Sequence, residues 1–99
     1  MPTYICTLSW TDQGIKFVKD APKRRQRARQ LAQKLGIVIK DIYITSGERD
    51  IMIIMEAPDE DAVAALALAA GSQGNTRSST CRAFTEAEFE RILNEMPEV

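Results

Sequence analysis

The stretch from Ile37 to Asp59, IVIKDIYITSGERDIMIIMEAPD, decides the fold. Ile37 to Thr45 is rich in β-branched residues, Ser46-Gly47-Glu48-Arg49 carries turn chemistry, and Asp50 to Glu56 holds the apolar run Ile51-Met52-Ile53-Ile54-Met55. Two strands joined by so short a turn pair as an antiparallel hairpin. Ala57-Pro58-Asp59 then closes the second strand. Asp59, Glu60 and Asp61 follow where first-turn carboxylates complement the helix dipole, so a helix starts here. A hairpin in the middle of a chain needs sheet neighbours and a cover, and the flanks supply both.

Working toward the N-terminus, Gly36 stands where a left-handed helix cap belongs, and Ala28, Leu31, Ala32 and Leu35 recur at helical spacing. Proline suits a helix's first turn and disrupts its interior, so Pro22 marks the start of a helix over about 22–35. Residues 12–20 are then a short helical or irregular lead-in. Before them, Tyr4, Cys6, Leu8 and Trp10 alternate with Ile5, Thr7 and Ser9, a strand over Thr3 to Trp10.

Working toward the C-terminus, the helix after Asp59 runs to about Ala70, with every position from Ala62 to Ala70 apolar. That is more apolar surface than one sheet face requires, and two readings are open: a tightly packed, Ala-rich core helix, or a small outer face that meets another helix or a subunit. Gly71 to Asn75 is a loop, and Thr76 to Phe84 is a strand of polar character. Thr85 and Glu88 form a capping box inside a staple of Phe84 and Phe89, which fixes the start of a last helix. Its stripe is Phe89, Ile92, Leu93 and Met96, and Pro97 ends it.

The order βαββαβα predicts an α+β ferredoxin-like sandwich with an additional C-terminal helix, one domain over residues 1–99. Both crossover helices fall on one sheet face. The other is bare, and its apolar content favours pairing with a second copy as a dimeric α/β barrel.

Composition narrows the chemistry. The chain has 13 Lys and Arg, 14 Asp and Glu, a formal net charge of −1 and no histidine. Histidine-based triads, histidine metal sites and a histidine base are therefore excluded. No metal-ligand spacing or cofactor motif occurs; Gly71-Ser72-Gln73-Gly74-Asn75, with Arg77 just beyond it, reads as a plain helix-to-strand loop, the alternative being a backbone nest for an anion, and it lacks the Gly-Lys-Ser/Thr of a phosphate loop. Cys6 and Cys81 lie far apart without CxxC spacing and read as reduced core thiols. No signal-peptide pattern or membrane-length apolar run is present, so the expected address is cytoplasmic.

Lys23-Arg24-Arg25-Gln26-Arg27-Ala28-Arg29 is the densest basic run. It reads as a solvated face rather than a nucleic-acid surface, because net charge is negative and no aromatic strand pattern accompanies it. Arg24 and Arg25 lie on the side of the helix that buries Leu31 and Leu35, within reach of a carboxylate or anion. Candidate ligand-binding residues are Tyr4, Trp10, Tyr43, Glu48, Arg49, Asp50, Arg77 and Arg82. Asp50 is the candidate base, since partial burial raises a carboxylate toward neutral pKa; the alternative is a structural ion pair with Arg77 or Arg82.

Taken together, Pro2-Thr3-Tyr4-Ile5, Trp10-Thr11-Asp12-Gln13-Gly14-Ile15, Pro22-Lys23-Arg24, Gly47-Glu48-Arg49-Asp50, Glu56-Ala57-Pro58-Asp59, Gly74-Asn75-Thr76-Arg77 and Arg82-Ala83-Phe84-Thr85 form a pattern. The pattern resembles the GYD domain family, small bacterial chains of the ferredoxin-like dimeric α/β barrel class. Arg49 replaces the tyrosine of that family's signature. The resemblance implies the fold and a homodimer or higher homo-oligomer, and carries no reaction with it. The expected function is a homodimeric interaction or small-ligand module, with a small anion as the candidate ligand. The alternative is a cofactor-free monooxygenase- or isomerase-like enzyme using Asp50 with Arg77 or Arg82.

Overall fold

A computed structural model describes residues 1–99. Strand β1 (Thr3–Trp10) leads into a short helix α1 (Asp12–Lys16), a 3-10 turn at Val18–Asp20 and helix α2 (Ala21–Lys34). Strands β2 (Val38–Ile44) and β3 (Ile51–Glu56) follow, then α3 (Glu60–Ser72), β4 (Thr76–Ala83) and α4 (Glu86–Glu95). The four strands form one antiparallel sheet in the order β2-β3-β1-β4, the ferredoxin-like arrangement. Pro22 lies in the first turn of α2, and Gly36 takes φ of +73° just beyond its end. A β-bulge separates Ile39 from Asp41, so Lys40 has no partner in the ladder.

Register assigns each side chain to a face. Tyr4, Cys6 and Leu8 of β1 are buried, as are Ile51 and Met55 of β3, and they pack with Ala32 of α2 and Val63 and Leu66 of α3. Both long helices therefore cover this face. Ile5 lies opposite Ile54, Thr7 opposite Met52, and Tyr43 opposite Met52 from the other side, so these residues share the opposite face. No element of this chain covers it. Only 11 of 99 residues are buried, which follows from a core fed by one side of the sheet.

One expectation changes. Cys6 is a buried core thiol, but Cys81 is exposed. Cys81 lies opposite Ile5 and therefore on the uncovered face, whereas Cys6 points to the helices. On α3, Val63 and Leu66 reach the core while Ala64, Ala65 and Leu68 face outward, and Leu68 is 75% exposed.

Helix α4 is the exception to compactness. Its capping box forms as expected, with Thr85 Oγ1 accepting from Glu88 N at 3.1 Å and Glu88 Oε1 accepting from Thr85 N at 3.0 Å. Yet its apolar stripe is left open to solvent: Phe89, Ile92, Leu93 and Met96 are 41% to 56% exposed. The molecule measures 52 × 31 × 20 Å with a radius of gyration of 15.3 Å. A compact chain of this length has about 13 Å.

Candidate functional site

The uncovered sheet face is the largest feature. Ile5, Met52 and Ile54 form its half-buried apolar centre, and exposed Tyr43 and Val38 extend it along β2. Thr3, Ser9, Arg77, Ser79, Asp41 and Glu56 form a polar margin. Lys40 reaches Glu56 at 3.4 Å across that margin. An apolar centre within a polar rim is the anatomy of a protein interface.

The residues singled out from the sequence do not converge on one point. Arg49 and Arg77 share one corner of the uncovered face, because Arg77 lies opposite Ser9 and Arg49 Nη1 donates to Ser9 Oγ at 3.5 Å. Glu48 sits exposed at the hairpin tip, and Tyr43 lies further along the same face. Tyr4 is instead buried beneath the helices, with Arg82 over its ring at 5.8 Å. Trp10 lies at the other end of β1 and is half-buried.

Asp50 is occupied in joining strands. Its Oδ2 accepts from Trp10 N at 2.9 Å, its N–H donates to Leu8 O at 2.9 Å, and its carbonyl accepts from Thr45 N at 2.8 Å. It forms no salt bridge with Arg77 or Arg82. Arg77 and Arg82 point to opposite faces of β4, five residues apart, so they cannot clasp one anion with Asp50.

Arg82 belongs to the base of α4. Its Nη2 binds Glu88 Oε2 at 2.7 Å, its Nη1 donates to the carbonyls of Thr3 and Ala83, and it stacks on Phe84 at 4.6 Å. The Thr85 N–H and the Arg82 guanidinium together hold the Glu88 carboxyl down at a pKa of about 2. The sequence shows Glu88 only as a cap, not as the partner of Arg82. Burial pushes the Cys6 thiol up, although a hydrogen bond with Thr80 opposes it.

The basic run is divided in its duties. Arg24 donates to Gly14 O at 3.1 Å and Phe17 O at 2.7 Å, which ties α2 to the lead-in segment. The loop after α3 turns carbonyls toward α1: Thr11 Oγ1 donates to Gly74 O at 2.6 Å, and Gln13 Nε2 to Gln73 O and Asn75 Oδ1. That leaves the loop as a connector, with no ring of amides facing an anion. Between α2, the end of α3 and the sheet lies an apolar groove of about 110 Å³, floored by Leu8, Trp10, Leu31, Ile51 and Ile53. Arg24, Arg25 and Arg27 stand around it.

No group of three Cys, Asp or Glu side chains is placed to hold a metal, and no helix is long and apolar enough to cross a membrane.

Comparison with known proteins agrees with this architecture. The family model described as the GYD domain matches residues 4–93. A curated relative from Thermus thermophilus, named glutamine synthetase and cystathionine beta-lyase binding protein, is 29% identical over 90 residues, covering 90% of this chain and 95% of the relative. The crystal structure of MtbAldR superposes with a TM-score of 0.57 at 11% identity, covering 86% of this chain. The chain spans about half (52%) of the length of MtbAldR, and at that identity the likeness is one of fold.

Proposed function

The chain belongs to the GYD domain family, and from that premise we propose that it is a homodimeric interaction module that recognises a partner protein. The observation that carries the reading is the uncovered sheet face. Ile5, Met52, Ile54 and Tyr43 present apolar side chains that no other element of this chain shields. Pairing two such faces across their polar margins buries both apolar centres and leaves the helices outward. The name of the Thermus thermophilus relative, a binding protein of two enzymes, supports a protein as the recognised partner. Asp50, the one candidate base, spends its carboxylate on a backbone N–H, which weighs against the enzymatic alternative.

The test is isothermal titration calorimetry of the purified chain against purified glutamine synthetase and cystathionine β-lyase from the same cells. Saturable heat with either supports the reading. Absence of heat with both, from a chain that is monomeric by light scattering, overturns it.

A second reading has its own observation. Arg49 and Arg77 flank Ser9 on the uncovered face, so a small anion is the ligand chemistry this corner suits. Stabilisation by pyrophosphate in a thermal-shift assay, abolished by Arg77→Ala, is the expected result. An equal shift in the variant discards it.

A further inference from the structure

Helix α4 is fixed at its base and bare along its length. The capping box and the Arg82–Glu88 contact set its direction, while Phe84 and the stripe of Phe89, Ile92, Leu93 and Met96 face water. About half of each of these five side chains is exposed, on the order of 500 Å² of apolar surface, as large as the greatest patch on an ordinary monomer. At 10 residues it is also shorter than the ~12–15 at which isolated helices become even marginal. Such a helix needs a surface to lie on.

The groove beneath α2 has matching chemistry. From Glu86 to Val99 there are five glutamates, at 86, 88, 90, 95 and 98, against the single cation Arg91. Helix α2 carries six cations, Lys23, Arg24, Arg25, Arg27, Arg29 and Lys34, and no acid. None of those six forms a salt bridge within the chain. An apolar stripe edged by carboxylates thus has a counterpart in an apolar groove edged by arginines.

The two cannot meet within one chain. The groove lies at the Trp10–Thr76 end of the sheet, whereas α4 leaves from the Thr3–Ala83 end. The eight residues of β4 hold these ends roughly 25 Å apart, at about 3.3 Å per residue. Helix α4 spans only about 15 Å, and Arg82 anchors its first turn at the far end.

We infer that α4 of one copy docks, stripe inward, in the arginine-rimmed groove beneath α2 of a second copy. Reciprocal exchange between two copies buries both stripes, on the order of 1,000 Å² in total, the size at which a specific interface begins. This contact is separate from the sheet pairing and goes beyond it. Its reporter is Trp10, the only tryptophan, which lies in the floor of the groove.

The test is complementation between two variants. Leu93→Asp spoils the stripe; Arg25→Glu with Arg27→Glu reverses the rim, and this second chain also carries Trp10→Phe so that it is dark. In full-length wild-type protein, acrylamide quenching of Trp10 is expected to be about two-fold weaker than in Leu93→Asp. Mixing Leu93→Asp with the dark chain supplies an intact α4 to an intact groove and restores the two-fold protection. A dark chain carrying both the reversed rim and Leu93→Asp restores none. Equal quenching in wild type and Leu93→Asp, or no protection on mixing, overturns the inference. Should the reversed rim fail to fold by circular dichroism, Arg25→Gln with Arg27→Gln and Trp10→Phe takes its place, with the same outcomes.

Discussion

Replacing Gly14 with alanine puts a methyl group 1.9 Å from the carbonyl oxygen of Asn75 and 2.9 Å from its carbon. Both are backbone atoms, so no rotamer relieves the clash. Helix α1 and the loop at 73–75 must separate by more than about 1 Å to reach ordinary contact distance. That motion loosens the bonds between them: Thr11 N to Asn75 O at 3.1 Å, Thr11 Oγ1 to Gly74 O at 2.6 Å, and Gln13 Nε2 to Asn75 Oδ1 at 2.9 Å. At a net value of about 1 kcal/mol each, and less where exposed, the loss is roughly 2–3 kcal/mol. For a chain of this size that lowers Tm by roughly 10–20 °C, since each kcal/mol is worth about 4–8 °C. Thermal unfolding followed by circular dichroism, at matched protein concentration, measures it. Gly71→Ala is the control, because a Cβ there meets open space within a helix, and Tm should rise by a few degrees. A Gly14→Ala midpoint within about 3 °C of wild type would refute the close approach of α1 to this loop.

Three further outcomes follow from single groups. The Glu88 carboxyl has its folded pKa lowered to about 2 from an ordinary 4.5, so its contribution to stability is complete above about pH 4.5 and is lost as pH falls through 2. Carbon-detected NMR titration should give that low value for Glu88 and a higher one in Arg82→Ala that still lies below 4.5, because the Thr85 N–H keeps its bond to the carboxylate. Asp50→Ala orphans the Trp10 N–H and should cost about 1–2 kcal/mol in urea unfolding, with a shift in tryptophan emission. Cys6, buried and with its thiol pKa raised, should stay unmodified by a thiol reagent at pH 8 until denaturant is added.

The fold could be read because its signals are local. The period of two in Thr3 to Trp10, Pro22 at the opening of α2, Gly36 at positive φ and the Thr85–Glu88 box each settle one element by short-range geometry. The site was less accessible because it depends on facing. Arg77 and Arg82 look interchangeable as partners for Asp50, yet the five-residue spacing along the strand places them on opposite sides of the sheet. Asp50 looks like a base at the mouth of an apolar strand, but the backbone of Trp10, forty residues away, claims its carboxylate. Gly14 lies in the lead-in segment, and nothing in the chain near it names the backbone of Asn75 as its neighbour. The stripe on α4 was visible as a pattern; a pattern names the apolar face of a helix and says nothing of what covers it.

Ile54 is the residue that probes pairing of the uncovered sheet faces, being central to that face and outside the helix-covered core. Size-exclusion chromatography with light scattering on wild type and Ile54→Asp measures it directly. Sheet pairing predicts a wild-type mass of at least twice 11.1 kDa and a lower mass for the variant, whose circular dichroism is unchanged. A wild-type mass of 11.1 kDa, or an Ile54→Asp protein that keeps the wild-type mass, would contradict it.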